Sequence, residues 1–173
     1  MRIAADITDL SMMHPRLLWS HLSAALVAVV GPETSGGAPT IFELTTSSIP
    51  DHGSEKLEIL LKTGGIIGLD LDSLRRTYEA PRLVELAAIA IAGLGLYHAG
   101  RHEIRDVALR GTAADYLVDE PSHLLEVAGR SRRNDLEATW QRKWQRLCDV
   151  AGSGFYLCVV EFETRTGKLA FQV

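Results

Sequence analysis

Residues 111–130 read GTAADYLVDEPSHLLEVAGR, and this stretch decides the fold. It divides into two short strands joined by a polar turn. Alternation in DYLVD puts Asp115, Leu117 and Asp119 on one face, and alternation in HLLEVAG puts Leu124, Glu126 and Ala128 on one face. Paired in the simplest register, the strands bring the carboxylates of Asp115 and Glu126 together at one edge of a sheet. Two such carboxylates are a usual way of holding a divalent cation.

Upstream, EIRDVALRG reads as a further strand, preceded by LVELAAIAIAGLGLYHAG from residue 83. That segment is apolar on nearly every side except at Glu85, the pattern of a helix buried on more than one face. A carboxylate there is paired, protonated, placed at a polar rim, or used. The apolar run is about 17 residues, at the short limit for crossing a bilayer. With Glu85, Gly93 and Gly95 inside it, a core helix is the expectation rather than a membrane span.

Downstream, SRRNDLEATWQRKWQRLCDVAG is an amphipathic helix that Asn134 or Asp135 can cap, with Gly152 past its end. Leu136, Trp140, Trp144 and Leu147 form its apolar stripe. Strand GFYLCVVEFET follows, its LCVV centre buried on both faces, and Thr166-Gly167 turns the chain into KLAFQV, expected as an edge strand.

The first 80 residues read as an N-terminal helix and hairpin extension. Residues 1–10 are a lead-in, and His14-Pro15 opens a helix through LLWSHLSAALVAVV that stops at Gly31-Pro32, with His21 on its polar margin. TIFELTTSS and EKLEILLKT form an antiparallel hairpin across IPDHGS. IIGLDLDSL is a third strand or the entry to a helix, and its Asp70 and Asp72 suit a solvated strand end or an N-cap better than a metal. His98 and His102 stand four apart outside any HExxH pattern, and helix capping accounts for them.

At 173 residues the chain is expected to form a single domain, with 1–80 the extension and 81–173 the core. With 46% apolar and 23% charged residues it has the composition of a soluble globular protein. A net charge of −4 and a pI near 5.8 argue against coating nucleic acid by charge alone. Asp6 and Asp9 interrupt any signal-peptide pattern. Cys148 and Cys158 are too few for a disulfide framework and suggest a reduced, cytoplasmic setting.

The order helix, strand, strand with Asp, strand with Glu, helix, strand over 81–163, with G-x-x-x-D before the turn and LLEVAG after it, resembles the PD-(D/E)xK nuclease superfamily. The resemblance extends to an uncharacterised bacterial branch in which a small residue replaces the motif lysine. It implies a restriction-endonuclease-like α+β fold, a mixed central sheet flanked by helices. In that family the Asp and Glu hold Mg²⁺ or Mn²⁺, a helix Glu assists, and the lysine orients or activates water for phosphodiester hydrolysis. Carried over, Asp115 and Glu126 are the catalytic and metal-binding carboxylates, Glu85 is the helix Glu, and Ala128 falls at the lysine position. Arg130 and Lys143 are the basic residues placed to compensate. Arg130, Arg132, Arg133 and Lys143 also supply a phosphate-contacting surface, with Trp140 or Trp144 available for stacking if exposed.

Because Ala128 carries neither proton nor charge, the leading expectation is a catalytically degenerate pseudoenzyme. It would serve as a nucleic-acid-binding or assembly module in a bacterial DNA-processing or defence system. One alternative is an active Mg²⁺-dependent nuclease with a relocated basic residue. Another is a protein-interaction subunit that forms a homodimer or joins a larger complex through its hairpin or its C-terminal edge strand.

Overall fold

The computed structural model describes residues 1–31, 39–50, 52–63, 71–109, 114–119 and 121–173. In chain order these form β1 (Arg2–Asp6), a 3-10 turn (Ile7–Asp9), α1 (Leu10–Met13), α2 (Ser20–Val30), β2 (Thr40–Ser47), β3 (Lys56–Lys62) and α3 (Leu71–Thr77). There follow α4 (Ala80–Gly100), β4 (Ile104–Val107), β5 (Tyr116–Val118), β6 (His123–Arg130), α5 (Asp135–Ala151), β7 (Phe155–Glu161) and β8 (Thr166–Gln172). The protein is of the mixed α+β class. The described strands form one eight-stranded sheet in the order β1-β3-β2-β8-β7-β6-β5-β4.

Strand β7 organises the layers. All seven of its residues are buried, so both of its faces need cover. Tyr156, Cys158 and Val160 join the large core built on α2 and α4, whereas Phe155, Leu157 and Val159 join a smaller cluster under α5. The two long helices therefore lie on opposite faces. The α5 crossover joins β6 to β7 as a parallel pair, and β4, β5 and β6 form an antiparallel meander.

Helix α4 is the only described helix long and apolar enough to cross a membrane, and most of its apolar window is buried within the protein. Two of its glycines permit the close packing. A Cβ at Gly95 would lie 2.8 Å from Leu44 Cδ1, and one at Gly93 would crowd Trp19, His14 and Leu10 at 3.0–3.1 Å.

The hairpin of β2 and β3 forms as expected, and several other expectations change. Residues 1–10 are not merely a lead-in, since β1 pairs in parallel with β3. Helix α2 begins at Ser20 rather than at Pro15, leaving Leu18 74% exposed. The reason is His14, whose ring is buried between α4 and β4 and holds the preceding segment in a turn.

The C-terminal strand β8 is interior rather than an edge: it pairs antiparallel with β7 and parallel with β2. Gly167 makes this possible, because a Cβ there would stand 2.6 Å from Leu44 Cδ2. With β3 covered by β1, neither the hairpin nor β8 offers a free strand to a partner, and the sheet's outer strands are β1 and β4.

Asp70 lies outside the described residues, and Asp72 stands in the first turn of α3, 3.5 Å from Arg75. Asn134 occupies the N-cap of α5 without a side-chain capping bond. His102 takes part in closing α4 through its backbone N–H, which donates to Leu96 O at 3.3 Å next to the left-handed Arg101, while its ring pairs with Asp119 at 2.6 Å. Both cysteines are free, Cys148 partly exposed and Cys158 buried.

Candidate active site

Strand β6 sends Leu125 and Val127 toward α4, and Glu126 and Ala128 toward α5. Glu126 is thereby buried, at 4% exposure, and a carboxylate removed from water requires charged or hydrogen-bonding partners. Helix α5 supplies two. Lys143 and Arg146 are three residues apart, so both side chains lie on one helix face. The Lys143 ammonium bonds Glu126 Oε1, and Arg146 Nη2 donates to the same oxygen at 2.8 Å.

Asp115 stands immediately before β5. The β5–β6 register pairs Tyr116 with Leu125, and continuing it by one residue sets Asp115 across from Glu126. The Asp115 N–H donates to Leu125 O at 2.9 Å, and its Oδ2 accepts the Val127 N–H at 3.0 Å. The carboxylate thus closes the end of the β5–β6 ladder and is fixed by the backbone opposite.

Burial pushes the Glu126 carboxyl above its usual range, and the neighbouring Asp115 charge adds to the shift, while Lys143 and Arg146 oppose it. The site is a pair of neighbouring carboxylates, Glu126 held by two cations from the facing helix and Asp115 held by the Val127 N–H.

Glu85, on the first turns of α4, is exposed at the rim and bonds Arg82 at 3.1 Å. Asp115, Glu85, Lys143, Arg82, Tyr116 and Val127 line one groove of about 300 Å³. Of the residues expected at the site, Asp115, Glu85 and Lys143 share this groove, and the buried Glu126 adjoins it through its bond to Lys143.

It does not gather the arginines there. Arg130 turns to Thr139 Oγ1 at 2.8 Å and to Gly129 O at 2.6 Å, and it lines an adjoining groove that again includes Glu85. Arg132 and Arg133 lie farther along, in the loop before α5. The tryptophans belong largely to packing. Trp140 and Trp144 stack at 5.3 Å, and Trp144 meets Phe155 edge-on.

Ala128 has a packing explanation. It sits in the apolar cluster with Leu147, Phe155, Leu157 and Val159, where the α5 stripe closes over the sheet. The direction in which a lysine would project from this position is filled by hydrocarbon. Arg146 is the residue that sequence reasoning missed as a partner of Glu126. Its signal was present in the Lys143–Arg146 spacing, which places both cations on one face.

The donor set fits a hard divalent cation. Mg²⁺ or Mn²⁺ takes oxygen ligands and is commonly held by one or two carboxylates with water completing the shell, which Asp115 and Glu126 can provide. Among the described residues no group of three or more His, Cys, Asp or Glu side chains converges, so a closed structural zinc site is not formed by them. Comparison with known proteins adds no relative: no family model, curated protein or solved structure matches the chain.

Proposed function

We propose that this protein is a metal-dependent phosphodiester hydrolase acting on nucleic acid, a PD-(D/E)xK-type enzyme in which Lys143 on α5 takes the part of the lysine that Ala128 replaces. The observation that carries the reading is that Lys143, which lines a groove with Asp115 and Glu85, also bonds the buried Glu126. The element order around it, α4, then the β4–β5–β6 meander, then α5 and parallel β7, agrees with that family's core.

Asp115 and Glu126 would hold the cation, which when bound supplies Lewis-acid polarisation and a lowered pKa for attacking water. The chain's own residues do the rest. Lys143 holds positive charge at the groove wall, where a bound phosphate accumulates negative charge. Arg146 favours the ionised form of Glu126 and orients it, opposing the upward push of burial. Glu85, exposed and about five-sixths of a turn from Arg82 (~100° per residue), is placed to orient water or accept a proton at the rim.

The test is cleavage of labelled DNA and RNA in Mg²⁺ or Mn²⁺ by the wild-type chain and by Lys143→Met. The substitution should lower the rate about 100-fold or more, the scale of a lost acid–base or charge-stabilising group. Calorimetry showing no binding of either cation, or equal rates for the two proteins, would refute the proposal.

A second reading has a specific observation in its favour. Two cations already satisfy Glu126 without a metal, which suits a catalytically degenerate module that binds nucleic acid or assembles with a partner in a bacterial DNA-processing or defence system. Nucleic-acid binding without metal uptake or cleavage is its signature. Either role accords with a cytoplasmic setting, in keeping with two free cysteines.

A further inference from the structure

The carboxylate groove does not end at Glu85. Glu85 also lines a second groove of about 340 Å³ with Ala80, Val84, Gly129, Arg130 and Ser131. Val84 and Ser131 in turn line a third, of about 830 Å³, which contains Arg132, Arg133 and Asn134. The three share wall residues in succession, so they form one track along the start of α4 and the β6–α5 junction. Gly129 keeps the track narrow, since a Cβ there would stand 2.2 Å from Val84 O.

Beside the track opens an apolar niche of about 360 Å³, bounded by Ala28, Val29, Tyr78, Leu83 and Val84. Arg75 stands at its edge, held by Ala28 O at 2.9 Å. The track thus offers, in order, a carboxylate pair with a lysine, two exposed arginines, and an apolar recess with an aromatic ring. Glu163 also faces the arginine end, but its Oε2 is engaged by the Arg133 N–H at 2.8 Å.

Building on the hydrolase reading, we infer that the track binds a single nucleic-acid strand, with Arg132 and Arg133 holding a phosphate away from the reacting position and the niche at Tyr78 receiving an unpaired base. An unstacked base has an exposed π-face that an apolar, aromatic recess can take, whereas in a duplex that face is covered by its neighbours. The charge pattern agrees. A duplex presents two closely charged backbones, and a chain of net charge −4 with Glu85, Asp135 and Glu163 along the same track is poorly suited to it.

The experiment is fluorescence anisotropy in EDTA with a labelled 12-nucleotide DNA strand, the RNA of the same sequence, and the blunt DNA duplex. The wild-type chain should bind one of the single strands at least tenfold more tightly than the duplex, and the tighter strand identifies the sugar. Arg132→Ala/Arg133→Ala should weaken that binding at least tenfold and reduce the log–log salt slope by about 0.7, the value for one single-strand phosphate contact. Tyr78→Leu, with its fold checked by circular dichroism, should weaken binding about tenfold.

Duplex binding equal to or tighter than single-strand binding overturns the inference, and so does an arginine double variant with unchanged affinity and salt slope. Because EDTA removes the metal, the two proposals fail separately. A chain that binds the strand but never cuts it sinks the hydrolase and keeps the track. A chain that cuts with affinity unmoved by the arginine variant does the reverse.

Discussion

Acidification should unlock the N-terminal segment through one residue, His14. Its ring is fully buried; Nδ1 accepts the Ile104 N–H at 3.0 Å, and Nε2 lies 3.0 Å from Gly93 O. Since a ring nitrogen that accepts carries no proton, His14 is the neutral Nε2–H tautomer and donates to the carbonyl. A second proton would confront the Ile104 N–H donor with another donor.

Burial is the main cause that lowers the His14 pKa from 6.5 to about 4, against weaker upward pulls from the Gly93 carbonyl bond and the Asp119 charge. The difference of about 2.5 units corresponds to ~3.4 kcal/mol at ~1.36 kcal/mol per unit. Because the folded value is the lower one, the unfolded chain takes up the proton first. Stability is therefore full above about pH 6.5, falls as pH drops toward 4, and loses nothing more from this group below that.

Urea unfolding of the wild type and of His14→Gln between pH 7 and pH 4 isolates the effect, since other titrating groups are common to both. The variant should be the less stable at pH 7, and the gap should narrow by roughly 3 kcal/mol by pH 4. Parallel stability curves for the two proteins across that range would refute the reasoning, as would a His14 imidazole titrating near 6.5 by NMR.

Two further outcomes follow from packing. Ala128→Lys puts a charge into the apolar cluster under α5, so it should cost roughly 3 kcal/mol or more in urea unfolding and should not raise hydrolysis, because Lys143 already serves Glu126. Gly129→Ala drives a methyl into the Val84 carbonyl, a backbone atom that cannot swing aside, and should cost ~2 kcal/mol or more. In a thermal melt that is a fall of about 4–8 °C for a chain of this size.

How much of the site was legible in advance depended on how local its causes were. Asp115 and Glu126 could be paired from the sequence because a strand's period is fixed at two and the polar turn between them is short. Glu85 could be placed near the start of its helix, though its exposure and its bond to Arg82 depend on where the helix meets the sheet edge. Lys143 was a candidate with an undecidable direction. A helix's pattern gives its apolar stripe, but its rotation and height over a sheet are set by packing against the other layer. Once Leu147 and the tryptophans settle over Ala128, Phe155 and Leu157, Lys143 and Arg146 come down on Glu126.

The sequence by itself determined the buried helix, the hairpin, the meander with its two carboxylates, and the amphipathic crossover, all of which follow from periodicity and turn chemistry within short windows. Only the tertiary structure decided that five residues at the N-terminus form a strand, that β8 is enclosed by β2, that His14 is a buried link to α4 and β4, and that the lysine reaches Glu126 from a helix. Each joins parts of the chain that no single window contains. Ala128 shows the difference most plainly: read along the strand it is a missing lysine, and read across the layers it is the small residue that lets α5 close over the sheet and set Lys143 against Glu126.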